Sequence, residues 1–522
     1  MKKIYYLILF IGLSLGMKSQ SYPFLEEMYD ISVDTGFTYG VNATILYLPW
    51  VGEAIPTALK YDLYQPVNDG DARYSLRPLI IYFHSGNFLP FPDNLSPVGT
   101  RHDSSAVEMC RKLARSGFVV ASADYRLGWN PIAEQEIGRV TGLINAAYRG
   151  VQDANTCIRH FKKTVVEDGN PFRIDTSRII LFGDDSGGYI SLNTGCLDRY
   201  DKIPTASNGK FLIPTPFGLV PMVIEAINGD VEGKNIGVMP NDPLFMAVFP
   251  YPVGDTLCYS NYPQYSSDFA ASVNLAGGVG DTAWIDPDQP CVISVHAPYD
   301  QTTPYKEDWL YVDVPPAPLR VVILQGSYLV SSLENQYGNN TYLDPPNNIT
   351  DLQFAVTDVA DERNDGISGL FPILGDTISD GTPWVFWDST NVNNDNGLKK
   401  NPHMSREKGE TYMDSILAYV LPRLFRCTRL WELTSTQELL QETDIDITMY
   451  PNPSSQEIFI ATKPEYIIQE ISVYDMKGSL VDFRTGININ SYNFPIDKLL
   501  PGQYILKFQF DQGVAARQIV VQ

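Results

Sequence analysis

Apolar residues in this chain come in short unbroken runs separated by stretches of helical period. The runs "PLIIYFH" (78–84), "FVVASADYR" (118–126) and "SRIILFG" (177–183) are nearly continuous in Ile, Leu, Val and Phe and end at glycine or polar residues. Between them, "EMCRKLARSG" (108–117) and "YRGVQDANTCIRHFKKTVVEDG" (148–169) repeat apolar positions every three and four residues, which predicts helices. Strands apolar on both faces that alternate with helices predict a mostly parallel central sheet covered on both sides, an α/β fold. The alternation resumes in "FAASVNLAGG" (269–278) and "PCVISVHAPYD" (290–300) and closes on the helix "ETYMDSILAYVLPRLF" (410–425). Shorter β-type segments, "GFTYG" (36–40) and "TALKYDLYQP" (57–66), precede it all.

The pattern changes after Cys427. A polar, acidic connector is followed by "EIFIAT", "EISVYD", "GSLVDF", "GQYILKFQF" and "ARQIVVQ", short strands punctuated by Lys477-Gly478 and Pro501-Gly502. Strands at this spacing predict a small β-sandwich. The expected organisation is a large α/β domain over 21–428, a linker over 429–445 and a β domain over 446–522. Two long irregular stretches, 200–262 and 330–400, are rich in Gly, Pro and Asn and are expected to be binding loops or lids. In the second, "TPWVFWD" (382–388) suits a half-buried strand as well as a pocket wall.

The first residues, "MKKIYYLILFIGLSLGMKSQ", place two lysines before an apolar run and small polar residues, the form of a secretory signal over 1–20. No later run reaches the roughly 18 apolar residues of a membrane span, so no transmembrane anchor is expected. A net charge of -23 argues against nucleic acid as a partner, because phosphate binding needs clustered cations. Six widely spaced cysteines allow 15 pairings and suggest structural bridges or buried thiols. They do not form a zinc knuckle; "NVNNDNG" (391–397) misses the calcium-loop register, and His102 and His160 lack partners at ligand spacing. Neither a metal nor an organic cofactor is expected.

The chemistry concentrates in "LFGDDSGGYIS" (181–191). A G-x-S-x-G turn joins a buried strand to a helix so sharply that side chains flanking the nucleophile would strike backbone. With Gly183 and Gly187 in the glycine positions, the nucleophile position holds Asp185; choosing Ser186 would put Asp184 where glycine is needed. "FHSGNF" (83–88) follows a buried strand as an oxyanion loop does, which makes the backbone of Gly86, Asn87 and Ser186 the candidate donors. Asp300 ends a strand where a triad acid would emerge, and His403 precedes the last helix where a triad base would stand.

Taken in order, "LIIYFHSGNF", "VVASADYRLGW", "YRGVQDANTCIRHF", "IDTSRIILFGDDSGGY" and "VISVHAPYDQTTPY" resemble the carboxylesterase/lipase branch of the α/β-hydrolase superfamily. That resemblance implies a serine nucleophile, a histidine base and an aspartate that orients it, acting on carboxylic esters. The tail, through "YPNP" (450–453), "ISVYDMKGSLV", "LLPGQYILKF" and "RQIVV", resembles the type A C-terminal sorting domain of Bacteroidota type IX secretion. This implies export and a secreted or surface location, with the secretion machinery as a partner.

An aspartate in place of serine would form a mixed anhydride with an ester, so ester hydrolysis is expected to be weak or lost. Aspartate does serve as nucleophile in haloalkane-dehalogenase-like and epoxide-hydrolase-like branches, where it attacks an alkyl carbon. If Asp185 and Asp300 both flanked His403, they would favour its charged form over the neutral base. The expected partner is a small ester or glycan, either hydrolysed slowly through Asp185 or Ser186 or simply bound.

Overall fold

The computed structural model describes residues 23–67, 76–216, 218–314, 317–343, 359–377, 380–430, 445–476, 480–510 and 513–522. The signal-like segment and most of the linker lie outside the described residues. The chain divides into two compact units, one up to residue 431 and one from residue 432.

The large unit is built on a sheet of eight strands: β1 (Asp30–Thr44), β2 (Ile55–Val67), β3 (Arg77–Phe83), β4 (Val119–Ala123), β5 (Ile174–Asp184), β6 (Ala271–Leu275), β7 (Cys291–His296) and β8 (Leu370–Pro372). Their spatial order is β1-β2-β4-β3-β5-β6-β7-β8. The first hairpin is antiparallel, as is β2 to β4; from β4 through β8 every pairing is parallel. This is the α/β-hydrolase sheet, and the apolar runs form its centre because every residue of β3, β4, β6 and β7 is buried.

Helices α1 (Ser104–Arg115), α2 (Glu136–Glu167), α3 (Ser186–Cys196), α4 (Ser327–Tyr337) and α5 (Arg406–Cys427) supply the crossovers and cover. α2 runs 32 residues, twelve positions N-terminal of its expected start, and packs on α3. A disulfide joins Cys291 at the start of β7 to Cys427 at the end of α5, while Cys110, Cys157, Cys196 and Cys258 are free and buried.

Strand order reverses about β3, whose neighbours are β4 and β5, and the crevice outside the C-terminal ends at such a switch point is where open α/β sheets place ligands. The loops after β3, β5, β7 and β8 all emerge there. "TPWVFWD" departs from the strand expectation: it is irregular, with Trp384, Val385, Phe386 and Trp387 all buried. "NVNNDNG" enters the short helix Asn394–Lys400.

The second unit has a three-stranded sheet (Thr448–Tyr450, Glu457–Ala461, Ser491–Pro495) and a four-stranded one (Leu480–Ile489, Ile468–Asp475, Gly502–Phe510, Gly513–Val521), all antiparallel within each sheet. Ile458, Ile460, Ile471, Val473, Leu506 and Ile519 fill a core of its own.

Candidate functional site

β5 turns into α3 at Asp185, which has φ 51° and ψ −109° as the N-cap residue. A non-glycine residue there is strained, and the strain is held by neighbours. The Asp185 N–H donates to the Leu275 carbonyl at 2.8 Å, which ties the tip of the bend to the end of β6. A Cβ at Gly183 would stand 1.9 Å from the Gly187 carbonyl oxygen, and one at Gly187 would stand 1.9 Å from that of Phe83. Those contacts fix the register: the two glycines flank Asp185, and α3 starts hard against the end of β3.

The loop after β3 adopts left-handed backbone at Gly86, Asn87 and Phe88 (φ 131°, 57° and 55°). Asparagine tolerates that region better than most residues, so the sequence departs from an all-glycine loop without losing its shape. The Trp129 indole N–H donates to the Asn87 carbonyl at 2.9 Å. His84 lies beneath the loop, its ring stacked 4.6 Å from that of Tyr125, whose hydroxyl donates to the His84 carbonyl.

The backbone amides of Ser186 and Gly86 favour the charged form of the Asp185 carboxyl, and the Asn87 N–H donates to Ser186 Oγ at 2.8 Å. Asn87 is therefore corrected from a donor aimed at a ligand to one that holds a buried hydroxyl. Ser186 itself is 2% exposed.

Burial pushes the Asp185 carboxyl up to about 6; Asp300 adds to this, while Lys400 and the two N–H groups oppose it. Its neighbour Asp184, buried and close to the Asp185 charge, is pushed up to about 8 and accepts a hydrogen bond from the Trp384 indole at 3.0 Å.

Asp300 follows β7. Its Oδ1 accepts from the Thr302 N–H (2.8 Å), the Thr302 hydroxyl (2.7 Å) and the Thr303 N–H (3.2 Å). Its Oδ2 lies 3.7 Å from Nε2 of His296, a residue with no exposed surface whose Nδ1 is paired with Ser327 Oγ at 2.8 Å. Burial alone would raise Asp300, but His296 and the Thr302 donors outweigh it and hold the carboxyl below its usual value. His296 is a buried neighbour of Asp300 that the sequence pattern does not single out, although it stands four residues before Asp300 at a strand end.

A cavity of about 950 Å³ opens over these groups, and Asp184, Asp185, Ser186 and Asp300 line it. Its walls are mainly apolar, from Leu143, Ile144 and Val151 of α2 to Phe211, Trp284 and Trp387. The antiparallel pair Glu307–Val312 and Leu319–Gly326 adds another apolar side through Leu310, Val312, Val322 and Leu324. At its edge, Lys400 Nζ pairs with Asp313 at 3.1 Å.

The structure does not bring His403 to this cavity. His403 is exposed and lies outside the lining, which contains no histidine at all. Among the described residues no hydrogen bond or ion pair joins it to Asp185 or Asp300. What faces the Asp300 carboxylate from the loop after β8 is Gly381: a Cβ there would stand 3.2–3.4 Å from the carboxyl atoms. His160 is half-buried with Nε2 3.2 Å from the Tyr61 hydroxyl, and His102 Nε2 sits 2.9 Å from Asp62, both away from the cavity lining.

Residues 448–522 match the family described as "Secretion system C-terminal sorting domain". This tail marks the chain for export to the medium or the cell surface, and no helix among the described residues is long and apolar enough to cross a membrane. No curated protein matches the chain. Among solved structures, Thermogutta terrifontis esterase 2 phosphorylated by paraoxon is 16% identical over 52% of this chain and 72% of that one, with a TM-score of 0.26. Propionate-bound esterase 2 of the same organism is 15% identical over 52% and 74%, with the same score. Brefeldin A esterase, a bacterial homologue of human hormone-sensitive lipase, is 17% identical over 33% and 36%, with a TM-score of 0.19. Likeness at this distance says nothing of chemistry; the fold stands on the strand order.

Proposed function

We propose that the large unit is an esterase-like binding protein: it holds a small, largely apolar molecule in the cavity and hydrolyses carboxylic esters weakly or not at all. The observation that carries this reading is the use of the backbone donors. Catalysis of acyl transfer needs N–H groups poised for an oxygen that becomes negative only in the transition state. Here the carboxyl of Asp185, ionised above about pH 6, stands against two of them, and a buried hydroxyl takes the third.

A carboxylate nucleophile acting on an alkyl carbon would still need an activated water, and none of the cavity-lining residues is a histidine that could activate one. Ser186 is no better placed, since its oxygen is engaged with the loop after β3.

The test is hydrolysis of p-nitrophenyl acetate and butyrate by the purified exported protein, together with Trp284 and Trp387 fluorescence as apolar ligands are added. Turnover should fall roughly 10⁶-fold below that of an intact serine hydrolase, the loss expected when a nucleophile is removed, while fluorescence changes saturably. A rapid acyl burst that disappears in Ser186→Ala would overturn the reading.

A further inference from the structure

The cavity has a long apolar arm that the groups around Asp185 do not account for. On α3 the lining residues Ser186, Tyr189, Ile190, Asn193 and Leu197 recur at helical spacing, so they form one stripe facing the cavity. From the bend at Asp185 to Leu197 that stripe runs about 16 Å at the rise of an α-helix. Leu143, Ile144, Ala147 and Val151 supply the matching stripe of α2.

Both ends of the arm are built. The two helices touch at Gly150, where a Cβ would stand 2.8 Å from Ile190 Cγ1 and 3.3 Å from the Phe88 ring. One turn earlier on α2, Ala147 offers the cavity no more than a methyl group. The far end is blocked by Phe211 and Trp284, whose rings stack with centroids 5.5 Å apart. Lys202 ties this block to the end of α3: its ammonium donates to the carbonyls of Cys196 (2.8 Å) and Trp284 (2.7 Å), and its own carbonyl accepts the Trp284 indole N–H at 2.8 Å. The indole also lies against Gly280, where a Cβ would come within 2.3 Å of it, so the ring has no room to move to that side.

The polar side chains along the arm are already served. The Asn193 amide donates to the carbonyls of Tyr189 (2.7 Å) and Gly278 (3.0 Å) and accepts from the Gly280 N–H at 3.0 Å. The Tyr189 hydroxyl donates to Thr303 Oγ1 at 3.0 Å, and the Tyr148 hydroxyl to the Gly229 carbonyl at 2.8 Å. A polar group entering the arm would lose its water without gaining a partner, whereas each buried methylene raises affinity about fourfold.

We propose that the arm takes an unbranched aliphatic chain of about twelve carbons and that Trp284 sets its length. An extended chain advances about 1.2 Å per bond, so about thirteen bonds reach from the polar groups at Asp185 to the stacked rings. The proposal rests on the binding reading above and adds the class of ligand and the residue that limits it.

Binding of tritiated decanol to the full chain, and its displacement by 1-alkanols of eight to sixteen carbons, tests this. Affinity should rise about fourfold with each methylene up to about twelve carbons and then level off. Trp284→Ala, which removes the block, should move the break at least two carbons higher. Ala147→Phe, which fills the arm midway, should move it below ten. Near-ultraviolet circular dichroism checks that both variants are folded. Affinity that climbs evenly to sixteen carbons in the natural protein, or a break that stays in place in both variants, would overturn the arm as the tail site and leave the cavity reading intact; failure of decanol to bind the natural protein would overturn both.

Discussion

At the scale of single residues, Asp185 combines backbone strain with a charge in a buried place. Its folded-state pKa is raised, to about 6 from an ordinary 3.8, so the fold prefers the protonated form. For an acid shifted upward, the folded state binds more protons than the unfolded one between those two values, and stability falls as pH rises through that window. The penalty begins above about pH 3 and is complete above about pH 7. Asp185→Asn removes the charge while keeping an oxygen beside the backbone amides of Gly86 and Ser186. The variant should match the natural protein at about pH 3 and exceed it by about 2 kcal/mol at pH 8. Urea unfolding of the large unit at the two values measures this, and a variant less stable at pH 8 would show that the carboxylate is held by favourable contacts instead.

At the scale of elements, each part of the site comes from the end of a different strand, and this decides what the sequence reveals. The bend at Gly183–Gly187 and the loop at His84–Phe88 are local: strand, turn and helix follow one another, so apolar runs and glycine positions predict them, and the structure agrees in register. The place of Asp300 is local in the same way, four residues past the buried run that ends at His296. The base position was not, because β8 is only three residues long and the 33 residues between it and α5 follow no period. In such a loop nothing in the sequence says which residue meets Asp300. Its place before the last helix points to His403, whereas Gly381 is the residue that arrives. If the elements still hold acyl-transfer geometry, restoring side chains at two strand ends should restore chemistry that one cannot. Asp185→Ser alone should leave p-nitrophenyl butyrate turnover close to background. Asp185→Ser with Gly381→His, once Asp300 yields a few tenths of an ångström, should exceed the single variant roughly 10²–10⁴-fold, the usual contribution of a general base. High activity in Asp185→Ser alone, abolished by His403→Ala, would return the base to the sequence-expected position.

At the scale of the whole chain, the hydrophobic period changes near Cys427, and each of the two compact units has a core that closes on itself. In the large unit the last helix is stapled to β7 by Cys291–Cys427, a bond suited to the oxidising side of an export route. Cross-linking residues 136 positions apart restricts the unfolded chain without help from the tail. The sorting unit lacks any such link, and its core consists of alternating inward residues of two small sheets. Each core is assembled from residues of its own unit, so folding of the large unit should not depend on the segment that directs export. Deleting residues 446–522 should therefore leave the thermal transition and the apolar-ligand affinity of the large unit unchanged, while the protein is retained in the cell fraction instead of reaching the surface or medium. Calorimetry on the purified truncated protein and immunoblots of cell and medium fractions read the two consequences separately. A truncated large unit that melts well below its transition in the full chain would show that the tail supports the fold as well as the route.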